Sequence, residues 1–227
     1  MPVFILIIVL KVGMKNELAF PSDNKSRIAV VIPAYKVENQ IAMVIENIPQ
    51  FVEKIIVVDD ASPDKTKDVL SSLTNPRLIV INHNKNSGVG GGLVQASERA
   101  ASLGMDILVK MDGDDQMDPN HIIDLVQPIM RGNVDYTKGN RFLNQSQLAS
   151  MPFVRRIGNR GLTFLVKASS GYWNIFDPSN GFTAIHAFVW QQLKQENIAR
   201  DFFFECSLLN ELYHHRAVVQ DVAVPAR

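Results

Sequence analysis

The sequence predicts an α/β protein built on a mostly parallel, Rossmann-like β-sheet with helices on both faces. Short runs rich in Val and Ile recur through residues 28–112, and stretches of helical pattern separate them. Several of these runs end directly in acidic side chains. Ligands of open α/β sheets bind at the carboxyl ends of the strands, so the acids indicate a site there.

The predicted strands are apolar runs bounded by turn residues. They are IAVVIP at 28–33, KIIVVDD at 54–60, RLIVIN at 77–82, DILVKMD at 106–112, VDYTKG at 134–139 and AVVQDVAV at 217–224. Runs that are apolar on both faces are typical of strands buried between two helix layers.

Helices are predicted between these strands. The apolar spacing indicates helices over 39–48, from Ser62, over 93–103 and from Pro119 onward. Ser62-Pro63-Asp64 has the order of an N-cap, a first-turn proline and a first-turn acid. Asp118-Pro119 predicts a helix start of the same kind.

Residues 1–27 are interpreted as an apolar N-terminal extension followed by a polar linker. The run from Val3 to Leu10 is eight residues long, whereas a membrane-spanning helix needs about twenty. No basic residue precedes the run and no small-residue cleavage site follows it, so a secretory signal is not predicted. The folded domain is predicted over 28–227.

Composition excludes several classes of partner. Lys+Arg and Asp+Glu both number 23, so the chain has no global field that would attract nucleic acid. Its single cysteine, Cys206, excludes an internal disulfide and a thiolate zinc cluster. This composition suits a reducing, cytoplasmic environment.

The strongest candidate site is the acidic end of the fourth strand. Asp112, Asp114 and Asp115 fall within four positions. Carboxylates this close raise each other's pKa unless a cation lies between them. Oxygen ligands favour Mg²⁺ or Mn²⁺ over zinc. The alternative is a solvated acidic loop that leads into the helix at Pro119.

Two further segments could contact a nucleotide. Asp60 ends the second strand and could accept hydrogen bonds from a ribose or a base, or simply begin the next turn. The glycines at 88–92 could approach a phosphate, but their spacing is neither G-x-G-x-x-G nor a Walker A motif. Close packing of a helix on the sheet is the favoured interpretation of these glycines.

Seven motifs in order resemble the family 2 glycosyltransferases of the GT-A (nucleotide-diphospho-sugar transferase) fold. The similarity is closest to dolichol-phosphate mannosyltransferases and polyprenyl-phosphate sugar transferases. The motifs are VVIPAYKVEN at 30–39, VVDDASPDKT at 57–66, NSGVGGG at 86–92, MDGDDQMDP at 111–119, KGNRF at 138–142, DPSNGF at 177–182 and FFE at 203–205. They extend from about Ile28 to Pro225.

The resemblance implies a donor site around the DxD motif. Asp112 and Asp114 match the carboxylates that hold the donor diphosphate through Mg²⁺ or Mn²⁺, with Gly113 between them and Gln116 nearby. Arg141 matches the arginine that faces the donor and acceptor phosphates. These matches imply that Asp112, Asp114 and Arg141 are catalytic and that the two aspartates bind the metal.

The resemblance also implies where the nucleoside lies. Pro33 and Tyr35 would flank the base, with Val58 and Asp60 beneath it. A glutamate usually follows the tyrosine by two positions in the family, but that position is Val37 here. One contact to the base or ribose is therefore expected to differ.

The acceptor side is expected in the later motifs. Asp177 begins the loop that closes over the acceptor, and Asn180 replaces the serine usual in this loop. Arg155 belongs to a basic and apolar stretch at 152–167, which predicts either an amphipathic helix at a membrane surface or an ordinary solvated face. The chain ends at Arg227, where relatives usually continue, so a C-terminal truncation is one interpretation.

The implied function is that of an inverting, metal-dependent hexosyltransferase. It would move a sugar from a GDP- or UDP-sugar to a polyprenyl or dolichyl phosphate, peripherally at the cytosolic face of a membrane. The first alternative is transfer to a growing glycan in cell-surface polysaccharide synthesis, with Asp201 or Glu205 as the base. The second is a non-catalytic, nucleotide-binding relative.

Overall fold

The computed structural model describes residues 26–141, 166–167 and 170–225. Their strands form one seven-stranded sheet in the order β3-β2-β1-β4-β6-β5-β7. The strands are β1 Ile28–Ala34, β2 Lys54–Asp59, β3 Leu78–Asn82, β4 Ile107–Lys110, β5 Tyr136–Asn140, β6 Thr183–His186 and β7 Val219–Ala223. All of them run parallel except β6, which is antiparallel to both β4 and β5. The predicted fold class is confirmed.

Helices of the described residues cover both faces of this sheet. They are α1 Ile41–Glu46, α2 Thr66–Ser72, α3 Val89–Ser102, α4 Ile122–Met130, α5 Ala187–Gln192 and α6 Phe204–His214, with short 3-10 turns at Pro119–His121 and Gln195–Asn197. On one face Val30 and Ile32 of β1 pack with Leu125 of α4. On the other face Val31 packs with Leu93 of α3. The alternation of buried side chains along each strand thus supports two core layers.

Two predicted helix starts differ from the structure. The helix after β2 begins at Thr66 rather than Ser62, because Ser62 donates its N–H to Asp59 and its hydroxyl accepts the N–H of Lys36. The turn ahead of the helix is closed instead by Asp64, whose carboxylate accepts the N–H of Thr66. Ser62 therefore holds two strand-end loops together instead of capping a helix.

The helix predicted over 93–103 begins four residues earlier, at Val89. Gly88 precedes it with a φ of 81°, in the region that favours glycine. The sequence prediction missed the first turn of this helix because it contains three consecutive glycines, which disfavour helix formation.

The reversed strand β6 positions the second half of the site. Because it runs against β4, its amino end lies at the carboxyl edge of its neighbours. The loop that precedes it, at 176–182, therefore reaches the end of β4 even though the two are far apart in the chain.

The N-terminal extension up to residue 25 and the basic stretch up to residue 165, with Arg155, lie outside the described residues. Within the described ranges, none of the helices combines the length and apolar character needed to cross a membrane.

Candidate functional site

A cavity of about 750 Å³ opens at the carboxyl edge of the sheet. Its walls come from the loops after β1, β2 and β4, from the first turn of α3, and from two late segments of the chain. The lining residues include Pro33, Tyr35, Val37, Asp60, Asn86, Gly88, Gly92, Lys110, Asp112, Gly113, Asp114, Pro178, Ser179, Gly181, Asp201, Phe202, Phe203 and Glu205. One cavity therefore brings together the two candidate bases, Asp201 and Glu205, and six residues expected at the donor site: Pro33, Tyr35, Asp60, Asp112, Gly113 and Asp114.

Both DxD residues, Asp112 and Asp114, line the cavity wall. Asp112 follows the last buried residues of β4, and its side chain is 35% exposed. Asp114 is more exposed, and its Oδ1 accepts the N–H of Gln116 across a tight turn. This turn includes Asp115, which has a φ of 63°. Gln116 itself lies outside the cavity lining and closes the loop that presents Asp114.

A buried lysine that sequence reasoning missed joins Asp112 to the far side of the cavity. The Lys110 Nζ lies 3.2 Å from Asp112 Oδ1 and 2.7 Å from Glu205 Oε1. Burial alone would lower the pKa of Lys110, but the charges of Asp112 and Glu205 outweigh it and raise the pKa. Burial would likewise raise the pKa of Glu205, but Lys110 and Lys138 lower it. The cavity thus contains an ion-paired carboxylate.

A second buried lysine, Lys138 of β5, lies behind this pair. It is fully buried, and its ammonium donates to the carbonyl of Asn180 at 2.6 Å. Burial lowers the pKa of Lys138 to about 8. Asn180 also accepts the N–H of Phe182 with its side chain, so it braces the loop from behind and does not line the cavity.

The carboxylate of Asp60 lies in a dense hydrogen-bond cluster at the end of β2. Its Oδ1 accepts from His83 Nδ1 at 2.7 Å and from both the N–H and the hydroxyl of Ser87 at 2.8 Å. Burial would raise the pKa of Asp60, but these bonds lower it. Asp60 is therefore an anion on the cavity wall. Neither His83 nor Ser87 was nominated from the sequence.

The glycine-rich stretch brings a helix close to the sheet and to the 199–201 segment. A Cβ at Gly92 would lie 3.3 Å from Val58 of β2, and one at Gly90 would lie 2.3 Å from the carbonyl oxygen of Ala199. The packing interpretation of these glycines is confirmed. Val58, fully buried under Gly92, supports the cavity wall from beneath.

Arg141 and Asp177 form a bidentate pair beside the cavity rather than on its lining. Arg141 Nε lies 2.8 Å from Asp177 Oδ2 and its NH2 group lies 3.0 Å from Oδ1. Asp177 is fully buried, while the Arg141 side chain is 32% exposed. Its hydrogen bond to Asp177 raises the pKa of Arg141. The pair anchors the loop from Pro178 to Gly181, which does line the cavity.

Val37 occupies the position at which the resemblance predicts a glutamate, and Glu38 follows it directly. Val37 is buried on the cavity wall. Glu38 turns away and accepts the N–H of Lys65 at 2.7 Å. The glutamate one position later therefore braces the turn before α2.

The carboxylates of Asp112 and Asp114 suit a divalent cation whose remaining ligands come from a diphosphate and water. Among the described residues, no group of three or more His, Cys, Asp or Glu side chains could hold a metal by itself. Asp112 and Asp114 nevertheless line the same cavity. Mg²⁺ is usually held by one or two carboxylates together with substrate phosphates and water. The two residues fit that kind of site.

The fold and the cavity define a class: the nucleotide-diphospho-sugar transferases of the GT-A fold. Residues 29–193 match the profile of Glycosyl transferase family 2, and the chain belongs to that family. It is a glycosyltransferase.

Relatives and solved structures agree with this assignment. The chain is 31% identical over 184 residues to the UDP-N-acetylglucosamine–dolichyl-phosphate N-acetylglucosaminyltransferase of Methanococcus voltae, with 74% of this chain and 73% of that protein covered. It is 27% identical to the dolichol-phosphate mannosyltransferase of Pyrococcus furiosus, with 70% and 46% covered.

Glucosyl-3-phosphoglycerate synthase from Mycobacterium tuberculosis, in complex with UDP, has a similar structure. The TM-score is 0.69 at 22% identity, with 89% of this chain and 71% of that chain covered. The same synthase has been solved with Mn²⁺ and UDP-glucose. This likeness shows the GT-A fold.

Proposed function

We propose that this chain transfers a sugar from a nucleotide-sugar to a polyprenyl-type lipid phosphate, with inversion at the sugar carbon. The observation that carries the proposal is the shared cavity of Asp60, Asp112, Asp114 and the ion-paired Glu205. Two relatives named for transfer to dolichyl phosphate support the acceptor class. A UDP- or GDP-sugar is the proposed donor.

The donor diphosphate would lie at Asp112 and Asp114. These two residues would hold Mg²⁺ or Mn²⁺, which neutralises charge that develops on the leaving diphosphate. The nucleoside would lie between Tyr35 and Asp60, at the other end of the same cavity. Tyr35 is 44% exposed and can stack on a base.

The ion-paired state of Glu205 favours a phosphate acceptor over an alcohol. An alcohol needs a carboxylate base to remove its proton, but the ion pair with Lys110 lowers the pKa of Glu205 and makes it a weaker base. A phosphate is already an anion near neutral pH, so it needs a cation to orient it more than a base. Arg141, beside the cavity, is the cation proposed for that contact, and Arg155 is a second.

Aromatic side chains at the cavity suit the hydrocarbon part of such an acceptor. Phe202 is 90% exposed and Phe203 is 69% exposed, and both line the cavity next to Pro178. Exposed aromatics of this size are typical of binding surfaces. We accordingly propose peripheral contact with a membrane at its cytosolic face.

Transfer assays with matched carboxylate variants test the proposal. Asp114→Asn is expected to abolish Mn²⁺-dependent transfer from a UDP- or GDP-sugar to dolichyl phosphate. Asp115→Asn removes the same charge from the same loop but lies off the cavity lining, so it should keep most of the activity. Equal activity of Asp114→Asn and the wild type would refute the donor site.

Transfer to a glycan hydroxyl is the second candidate, because Asp201 offers a carboxylate at the cavity. Asp201 is exposed and accepts the N–H of Phe203. A base contributes about 10²–10⁴-fold. If the acceptor is a hydroxyl, Asp201→Asn should lose activity on that scale, whereas with a lipid phosphate the variant should stay within a few-fold of wild type. Glu205 is a poor discriminator because its loss also removes the closer of the two carboxylates that pair with Lys110.

A further inference from the structure

The three hydrogen bonds at Asp60 all end on one oxygen of its carboxylate. His83 Nδ1 and two groups of Ser87 donate to Oδ1. Within residues 26–141, 166–167 and 170–225, no group bonds to Oδ2. Because Asp60 is on the cavity wall, Oδ2 is the oxygen left for a ligand.

His83 is held between two acceptors, which fixes the protonation of its ring. Its Nδ1 contacts the Asp60 carboxylate, and its Nε2 contacts Oε1 of Gln95. A carboxylate only accepts hydrogen bonds, so the contact with Asp60 requires a proton on Nδ1. The Ser87 hydroxyl, which donates its own hydrogen to Asp60, lies 3.0 Å from the same nitrogen. The other charged groups around His83 are Asp59 on the β2 side, with Glu98 and Arg200 across a small surface cavity.

We propose that His83 is a positioning residue of the donor site, which locks the Asp60 carboxylate so that Oδ2 accepts an N–H or O–H of the nucleoside. This inference rests on the proposed function, since it assumes that the nucleoside lies at Asp60. His83 lines the small surface cavity on the other side of Asp60 and is absent from the donor cavity lining. It therefore acts through the carboxylate and does not touch the ligand itself. A carboxylate that is fixed before binding loses less conformational freedom when the ligand arrives.

The test compares three variants by calorimetric titration with UDP and with GDP in the presence of Mn²⁺, and by donor-dependent transfer kinetics. His83→Leu removes the donor to Asp60. His83→Asn keeps an N–H donor at the place of Nδ1. His121→Asn is the matched control, because His121 Nδ1 makes the same 2.7 Å contact to a carboxylate, that of Asp124, away from the cavity.

His83→Leu should raise the nucleotide Kd and the donor KM by about tenfold or more, since a hydrogen bond to a charged group is lost. Its kcat should change by less than about threefold, because the bond serves binding and not the chemical step. His83→Asn should recover most of the affinity, and His121→Asn should leave it unchanged.

Two results would overturn the inference. One is an unchanged Kd for His83→Leu, and the other is equal weakening by His83→Leu and His83→Asn. A wild type that binds neither nucleotide would instead overturn the proposed function together with this inference.

A measurement on the wild type avoids dependence on the folding of any variant. Long-range ¹H–¹⁵N spectra of the histidines should show His83 Nδ1 protonated in the free protein. Its resonance should shift when the nucleotide that binds, UDP or GDP, is added. An unprotonated Nδ1 cannot donate to Asp60 and would overturn the inference.

Discussion

Replacing Lys110 with Met should strongly destabilise the fold, because it leaves the Glu205 carboxylate without its closest counter-charge. The Lys110 side chain is 7% exposed, and its ammonium lies 2.7 Å from the carboxylate of Glu205, whose side chain is 15% exposed. Removing one partner of such a buried pair costs about 3–5 kcal/mol, because the other charge stays buried without its closest counter-charge. Arg27→Met is the matched control: Arg27 pairs with Glu53 at 2.8 Å, but both side chains are more than 40% exposed. Its effect on the free energy of unfolding should be much smaller, because an ion pair this exposed contributes little.

Urea unfolding of a double-mutant cycle measures this effect. Glu205→Gln should destabilise the wild type because it leaves the buried Lys110 with only the more distant carboxylate of Asp112. In the Lys110→Met background the same change should instead recover about 1–3 kcal/mol, because it removes the unpaired charge. A loss for Lys110→Met no larger than that for Arg27→Met, or a second destabilisation by Glu205→Gln in its presence, would refute the reasoning.

Three further changes test other contacts. Gly181→Ala would place a Cβ 2.4 Å from Lys110 Nζ, so it should weaken nucleotide affinity with Mn²⁺ by about tenfold or more in a calorimetric titration. Unchanged affinity would contradict this prediction and show that Lys110 can move away from the added methyl group. Thr66→Val should lower the free energy of unfolding by about 1–2 kcal/mol, since it leaves the buried N–H of Val37 without its 3.0 Å acceptor; a loss under about 0.5 kcal/mol in urea unfolding would contradict that bond. Burial would lower the pKa of His83 from its ordinary value of 6.5, but the hydrogen bonds to Gln95 and Asp60 outweigh burial and raise the pKa. The contribution of His83 to the free energy of unfolding is therefore complete below pH 6.5 and is lost as the pH rises through the raised pKa. The difference in unfolding free energy between the wild type and His83→Leu should therefore shrink with rising pH, and a constant difference would contradict the raised pKa.

The sheet and the acidic edge could be predicted because both depend on local pattern. The run at 54–60 is apolar on both faces and ends in acids, which defines a buried parallel strand and its carboxyl edge without knowledge of any partner. The start of α2 was predicted too early because Ser62 is taken up by a contact with the loop after β1. Such a contact between distant segments cannot be seen in a local motif.

The lysines of the site were missed for a related reason, although a signal was present. Lys110 follows Leu108 by two positions, so it points to the same buried face of β4. A charge on a strand buried on both faces requires a partner. That partner, Glu205, lies 95 positions later in the chain, and only the tertiary fold brings the two together.

The reversed direction of β6 has a consequence for the order of folding. The acids of the DxD motif follow β4, whereas the loop before β6 that lines the same cavity comes much later in the chain, and Glu205 comes later still. During synthesis, a nascent chain that has emerged only as far as β5 already holds Asp112 and Asp114 but has no counter-ion from α6 for Lys110. Pairings of such long sequence separation form slowly, because a long loop must close before any contact stabilises it. Assembly of the donor site should therefore be among the last folding events, and a pulse of hydrogen exchange during refolding should protect β1 and β2 before β6.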